Sequence, residues 1–240
     1  MNYALIFAGG VGQRMNTRAK PKQFLEIHGK PIIVHTIEHF QKNHEVDAVC
    51  VVVVSDWVDY MNRLVDQYRL TKVKWVIPGG QTALESQYNG LKAISADSKS
   101  PEDIVLIHDG VRPLIHSELI SDCIAHVKQF GSAVTVAPAI ETIVQVDESS
   151  MIRSTVERSE CFLARAPQCF YLKDILAAHE RAKREGVYQF VDSTSMMLHF
   201  GHKVHIVEGP AENMKVTNPA DFYICRALLD AKENSQIYGI

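Results

Sequence analysis

The chain has 240 residues, 46% of them hydrophobic and 22% charged, with a formal net charge of −3. This is the make-up of a soluble globule with a sizeable core. The slight acidic balance excludes the broad basic field of a nucleic-acid binder, so an anionic ligand must be met by a few placed cations. The opening apolar run, Tyr3–Ala8, is too short to span a membrane and lacks the charged front and cleavage site of a signal peptide. The five cysteines, Cys50, Cys123, Cys161, Cys169 and Cys225, are odd in number and form no C-x-x-C. They read as reduced thiols of a cytoplasmic protein, with Cys50 in the core, and not as a disulfide framework or zinc site.

In chain order, Tyr3–Ala8, Ala48–Val54, Lys74–Ile77, Ile104–His108 and Ala133–Ala137 are short apolar runs rich in β-branched residues. Such unbroken runs mark strands buried on both faces, as in a mostly parallel sheet. Helical patterns separate them: Pro31–Gln41, Asp56–Tyr68, Thr82–Ile94 and Ser117–Phe130, the last stopped by Gly131. The β-α-β-α order predicts an α/β fold, a doubly wound three-layer α/β/α sandwich with right-handed crossovers. The rhythm breaks after Pro138. Glu141–Val156 reads as two polar-alternating strands around the turn Asp147–Ser150, a projecting β-arm at about residues 139–160. Helix follows at Lys173–Glu185 and Asp192–Phe200, then strand at Val204–Glu208 and a closing helix at Pro219–Lys232. With no repeat, linker or low-complexity tract, residues 1–240 read as one domain carrying an arm.

The first strand runs into AGGVGQRMNTRAKPKQF, Ala8 to Phe24. Ligands of such sheets bind beyond the carboxyl ends of strands. Gly9, Gly10 and Gly12 let the backbone turn and approach a ligand with its amide groups, while Arg14, Arg18, Lys20 and Lys22 add cations. This concentration of positive charge in an acidic chain points to a triphosphate. The string is not a P-loop, because G-x-x-x-x-G-K-[ST] is missing, nor a dinucleotide fingerprint, because a long basic loop broken at Pro21 follows Gly12 where a helix should open. His199, His202 and His205 are spaced like metal ligands, but Gly201 breaks their helix and His205 falls in a strand, so they read as surface or packing histidines. Met196, Met197 and Phe200 read as helix packing.

The order A-G-G-x-G-x-R-M, P-K-Q-F, His108–Pro113 (HDGVRP), Glu141–Val144 (ETIV), Ala166–Gln168 (APQ) and Glu212–Thr217 (ENMKVT) resembles the cytidylyltransferases that make CDP-methylerythritol and CDP-ribitol, over nearly the whole chain. The resemblance implies a Rossmann-like nucleotidyltransferase fold and the reaction CTP + phosphopolyol → CDP-polyol + pyrophosphate. It further implies that Ala8, Gly9, Gly10, Gly12, Arg14, Lys22, Gly80, Gln81, Ser86 and Asp109 bind CTP. Arg14, Lys22 and Lys215 would be catalytic, and Asp109 would hold Mg²⁺. Asp109, Arg112, Thr142, Arg158 and Lys215 would bind the acceptor, with Thr142 and Arg158 reaching over from the partner in a homodimer joined through the arm. Taken alone, Asp109 also reads as a capping or loop aspartate with Arg112 as its salt-bridge partner, and Lys215 as a surface lysine.

Three positions depart from the family pattern. Ala83 stands where an arginine is usual in G-G-x-x-R-x-x-S, Ala166 (preceded by Arg165) replaces the threonine before Pro-Gln, and Val191 replaces the threonine before Asp192. These acceptor-side departures favour D-ribitol 5-phosphate, feeding a surface polymer, over 2-C-methyl-D-erythritol 4-phosphate of isoprenoid synthesis. Two other classes of function compete: a non-catalytic nucleotide-binding regulatory module on the same fold, and a nicotinamide dehydrogenase with Asp56 as its ribose ligand.

Overall fold

A computed structural model describes residues 1–9 and 20–238, with side chains as far as 234. Strand β1 (Asn2–Ala8) leads to a 3-10 turn at Lys22–Phe24, the short hairpin β2 (Glu26–Ile27) and β3 (Lys30–Pro31), and helix α1 (Ile32–Lys42). Then come β4 (Ala48–Val53), α2 (Val58–Gln67), β5 (Val73–Pro78), α3 (Ala83–Asp97), β6 (Ile104–Asp109), α4 (Ser117–Phe130) and β7 (Ser132–Pro138). The arm is β8 (Val144–Val146) paired antiparallel with β9 (Ile152–Thr155). The chain closes with β10 (Phe162–Tyr171), α5 (Leu172–Glu185), α6 (Ser193–His199), β11 (Ile206–Glu208) and α7 (Pro219–Tyr238).

The central sheet has the order β11-β7-β10-β6-β1-β4-β5. Its pairings are parallel except for β10, which runs antiparallel between β6 and β7. Alternation along β1 feeds both faces. Ala4 and Ile6 join a core with α1, α2 and α4, including Ile33, Ile37, Met61 and Ile120. Tyr3 and Leu5 join a core with α3, α5 and α6, including Leu91, Ile94, Ile175 and Met196. This is the three-layer sandwich expected from the runs of β-branched residues. All six residues of β4 are buried, Cys50 among them. Gly131 ends α4 in the left-handed region at φ 85°, where a Cβ would be strained.

Strand β10, like the two-residue strands β2 and β3, is not revealed by sequence pattern. Pro167 lies in the middle of β10 and the pairing with β7 shifts register between Ala164 and Gln168, so the alternation of a strand is interrupted where it would be read. Two of the three spaced histidines pack against aromatics: His199, which ends α6, lies edge-on to Phe190 and Phe200, and His205 stacks on Phe130.

Helix α3 lies so close to the sheet that a Cβ on Gly90 would meet Leu5 Cδ1 at 2.2 Å and Val52 Cγ2 at 3.0 Å. Overpacking costs about 1–3 kcal/mol, more than the ~1 kcal/mol that alanine gains over glycine in a helix. Gly90→Ala should therefore lower the melting temperature by about 2–4 °C per kcal/mol lost. An unchanged or higher midpoint in a calorimetric scan would refute the close contact.

Candidate active site

Two clefts open where β1, β4, β5 and β6 end. The larger, of about 500 Å³, runs from Ala8 and Gly9 past Val54 and Ser55 to the Gly79–Ala83 turn, with Lys22, Asp109 and Lys215 on its wall. The smaller, of about 150 Å³, shares Phe7, Ala83, Asp109 and Lys215 with it and adds residues from β10 and from the approach to α6.

Local sequence explains each position. Pro21 starts the 3-10 turn that carries Lys22. Phe24 sinks into an aromatic cluster, stacked on Trp57 at 4.9 Å and edge-on to Tyr60 at 5.1 Å, and Gln23 Nε2 donates to the Ala8 carbonyl at 2.7 Å. Thus anchored, the turn holds Lys22, whose Nζ donates to the Val216 carbonyl at 3.0 Å. On the opposite wall, Thr82 caps α3 by accepting from Glu85 N–H at 3.1 Å. Ser86 Oγ accepts from Gly80 N–H at 3.0 Å and donates to the Thr82 carbonyl at 2.9 Å. A Cβ on Gly79 would lie 2.7 Å from that hydroxyl, so the turn after β5 requires glycine there.

Asp109 ends β6 and is the electrostatic centre. Its Oδ2 accepts from Arg112 Nε at 2.7 Å and its Oδ1 pairs with Lys215 Nζ at 2.6 Å. Burial alone would raise its carboxyl, but the charges of Arg112 and then Lys215 outweigh burial and hold it down to about 2. Arg112 Nη1 also donates to the Asn213 carbonyl at 2.9 Å. Lys215 is fixed in turn by its neighbours. Asn213 and Val216 are buried, Val216 N–H donates to the Val111 carbonyl at 2.9 Å, and Asp221 caps α7 by accepting from Thr217 and Asn218 N–H. Beside Asp109, burial lowers His108 to about 3, so its imidazole is neutral.

The clefts thus bring together Ala8, Gly9, Lys22, Gly80, Gln81, Ser86, Asp109, Arg112 and Lys215. Gly10, Gly12, Arg14 and Arg18 lie outside the described residues. Thr142 and Arg158 are exposed on the arm and line neither cleft. Asp56 is exposed and lines neither. Sequence reading gave no role to Gln23, to the Asn213 carbonyl or to Arg165. For Asn213 the available signal was its place two residues before Lys215. For Arg165 it was only the loss of the usual threonine next to it.

Sheets of this kind bind ligands outside the carboxyl ends of their strands. A cation, Lys215, shared between a nucleotide-sized cleft and a second one, with Lys22 on one side and Arg112 on the other, suits a transferase that brings two anions together. Comparison with known proteins carries this from class to family. The family model described as IspD, 2-C-methyl-D-erythritol 4-phosphate cytidylyltransferase, matches residues 3–231, so the chain belongs to that family and is a cytidylyltransferase. A ribitol-5-phosphate cytidylyltransferase of Streptococcus agalactiae serotype III (strain NEM316) is 55% identical over 241 residues, covering 100% of both chains. A 2-C-methyl-D-erythritol 4-phosphate cytidylyltransferase of Clostridium acetobutylicum is 37% identical, covering 98% of this chain and 99% of that one. The crystal structure of 4-diphosphocytidyl-2C-methyl-D-erythritol synthase from Anaerococcus prevotii superposes with a TM-score of 0.81 at 26% identity, covering 95% of this chain and 96% of that one.

Replacing Asp109 by asparagine leaves Arg112, with 10% of its side chain exposed, without its counter-charge. Removing one partner of a buried pair costs about 3–5 kcal/mol, and Asp109→Asn should lose that much stability near neutral pH in a denaturant titration. The carboxylate's contribution is fully present above its ordinary 3.8 and fades as pH falls toward about 2. The gap between wild type and variant should therefore close on acidification across that window. A gap that stays constant would show that the ion pairs do not set it.

Proposed function

We propose that the chain transfers the cytidylyl group of CTP to D-ribitol 5-phosphate, releasing pyrophosphate and forming CDP-ribitol. The observation that carries this reading is the Asp109–Lys215 pair, a common wall between a large glycine-lined cleft and a smaller one beside it. CTP occupies the first, with Ala8, Gly9, Lys22, Gly80, Gln81 and Ser86 around it; Gly10, Gly12 and Arg14, outside the described residues, are assigned to CTP by the family resemblance alone. The acceptor phosphate occupies the second, against Arg112 and Lys215. Full-length identity of 55% to a ribitol-5-phosphate cytidylyltransferase, against 37% to a methylerythritol phosphate enzyme, supports the choice of acceptor.

An oxygen of the acceptor phosphate attacks the α-phosphorus of CTP, and the bond to the bridging oxygen of the leaving pyrophosphate breaks. A phosphate monoester has its second ionisation near pH 6, at about the pKa of phosphorylated side chains, so the nucleophile is already anionic and needs no base. Asp109, held near 2, stays ionised and takes no proton at neutral pH. The work left to the protein is to align two anions and offset charge building on the α-phosphate and pyrophosphate. Lys22, Lys215 and Arg14 are the groups for it, as compact or forked cations.

Mg²⁺ fits as a companion of the triphosphate. It prefers phosphate oxygens and waters with one or two carboxylates. Among the described residues, no group of three or more His, Cys, Asp or Glu could hold a metal by itself. Asp109 already serves Arg112 and Lys215, yet a carboxylate offers about four lone-pair sites, leaving room for one more ligand bond. Bound there, the ion would neutralise phosphate charge.

Residues 1–240 act as one domain whose arm builds a homodimer. The arm exposes Ile140, Val146, Met151 and Ile152, the last two by 64% and 67%, an apolar surface suited to a second copy. Pairing two arms would carry Thr142 and Arg158 to the partner's acceptor cleft.

A pyrophosphate-release assay tests the acceptor: turnover with D-ribitol 5-phosphate should exceed that with 2-C-methyl-D-erythritol 4-phosphate, and the reverse order, or inactivity with both, would overturn it. Mixing Arg158→Ala and Lys215→Ala chains tests the composite site. Each variant alone should be nearly inactive. Random pairing in a two-fold dimer should restore about a quarter of wild-type activity, whereas sites made within one chain would restore none.

A further inference from the structure

Among the described residues, three cations line the smaller cleft, and two of them are paired with a carboxylate. Arg112 and Lys215 share the single charge of Asp109. The third, Arg165 on β10, donates through Nη1 to the Asn213 carbonyl at 3.2 Å, the same oxygen that accepts from Arg112 Nη1 at 2.9 Å. Two guanidinium groups thus converge on one neutral atom. Asp192 also lines the cleft, but its carboxylate is committed to Gln168 Nε2 at 2.7 Å and to Ser195 N–H at 2.8 Å. Among the described residues no carboxylate comes within 4.0 Å of Arg165, and its buried Nε has no hydrogen-bond partner.

A half-buried cation beside a like charge is costly unless something supplies the opposite sign. Burial, and then the charge of Arg112, push the Arg165 guanidinium below its ordinary range. The site is therefore arranged for an anion that neither Asp109 nor Asp192 provides. The family's usual arginine is replaced by Ala83, and Ala83 lines this same cleft. So do Ala166 and Val191, the other two departures, which remove hydroxyls from the walls around Arg165.

We propose that Arg165 is a phosphate ligand of the acceptor, supplying from β10 the cation that the family pattern carries at position 83. The forked guanidinium would grip the dianion of an acyclic polyol phosphate together with Arg112. This assignment rests on the smaller cleft being the acceptor side.

The experiment uses the full chain and the variants Arg165→Gln and Arg165→Lys. Steady-state kinetics are run with D-ribitol 5-phosphate, and inorganic phosphate is titrated calorimetrically with the nucleotide cleft filled by α,β-methylene CTP. For Arg165→Gln, the acceptor KM should rise, and phosphate binding weaken, by about 10- to 100-fold, the value of one hydrogen bond to a charged group. The CTP KM should stay within about twofold, a change below 0.5 kcal/mol. Arg165→Lys should recover part of the loss. Unchanged acceptor KM and phosphate affinity would overturn the assignment. So would a parallel rise of both KM values with a lowered melting temperature, which marks Arg165 as a structural clip on the Asn213 carbonyl. If wild type ignores D-ribitol 5-phosphate while phosphate binding still depends on Arg165, the acceptor reading fails and this assignment stands. If D-ribitol 5-phosphate is turned over equally by wild type and Arg165→Gln, the acceptor reading stands and this one fails.

Discussion

A carboxylate at the end of a buried strand, held between an arginine and a lysine, organises this molecule. Asp109 ties together the end of β6, the loop carrying Arg112 and the distant Glu212–Thr217 segment. Burying such a charge is unfavourable unless it is paired and hydrogen-bonded. The surroundings supply that pairing and then fix the partners: Asn213 takes Arg112, Val216 is locked to Val111, and the cap of α7 fixes the residues after Lys215. The α7 cap therefore bears on the site without touching it, because it sets where Lys215 can stand.

The same constraint decides the chemistry. A carboxyl held near 2 is a poor base at neutral pH, and the neighbouring His108 is buried, neutral and turned to a backbone carbonyl. The larger cleft offers Lys22 and Lys215 where an acyl-transfer site would need a nucleophile and its base. Its glycine turn is likewise specialised. The N–H groups of Gly80 and Gln81 are taken by Ser86 Oγ and by Glu85 Oε2 at 2.8 Å, so this turn shapes a wall with its own donors already satisfied. On the function proposed above, the nucleotide base and sugar lie against this wall and the phosphates on the side bearing Lys22.

How much of this was legible in the sequence follows from where each signal resides. Parallel strands buried on both faces are continuous runs of Val, Ile and Leu, so β1, β4 and β6 could be read directly, and the polar alternation around Asp147 marked the arm. Lys22, Asp109 and Lys215 stood out because each sits in a short string at a strand end or helix start. Strand β10 was hidden because Pro167 and the register shift break its alternation. What Arg165 faces was hidden with it. No local pattern says that the residue before Ala166 will share a carbonyl with Arg112, since that depends on β10 entering the sheet between β6 and β7.

That insertion also divides the work of the sheet. The β1-β4-β5 side lines the larger cleft through its strand ends, and the β10 side lines the smaller one, with Asp109 on the boundary strand β6. The three departures from the family pattern line the smaller cleft. Ala83 touches both, but only as a side chain cut back to one carbon, which withdraws a charge and leaves the backbone of α3 and its Thr82 cap in place. On the function proposed above, changes on β10 or ahead of α6 reshape the acceptor pocket while the ion pairs of Asp109 hold the nucleotide side fixed. A fold divided this way can keep one donor and exchange its acceptor, consistent with full-length relatives that carry the names of two different polyol phosphates.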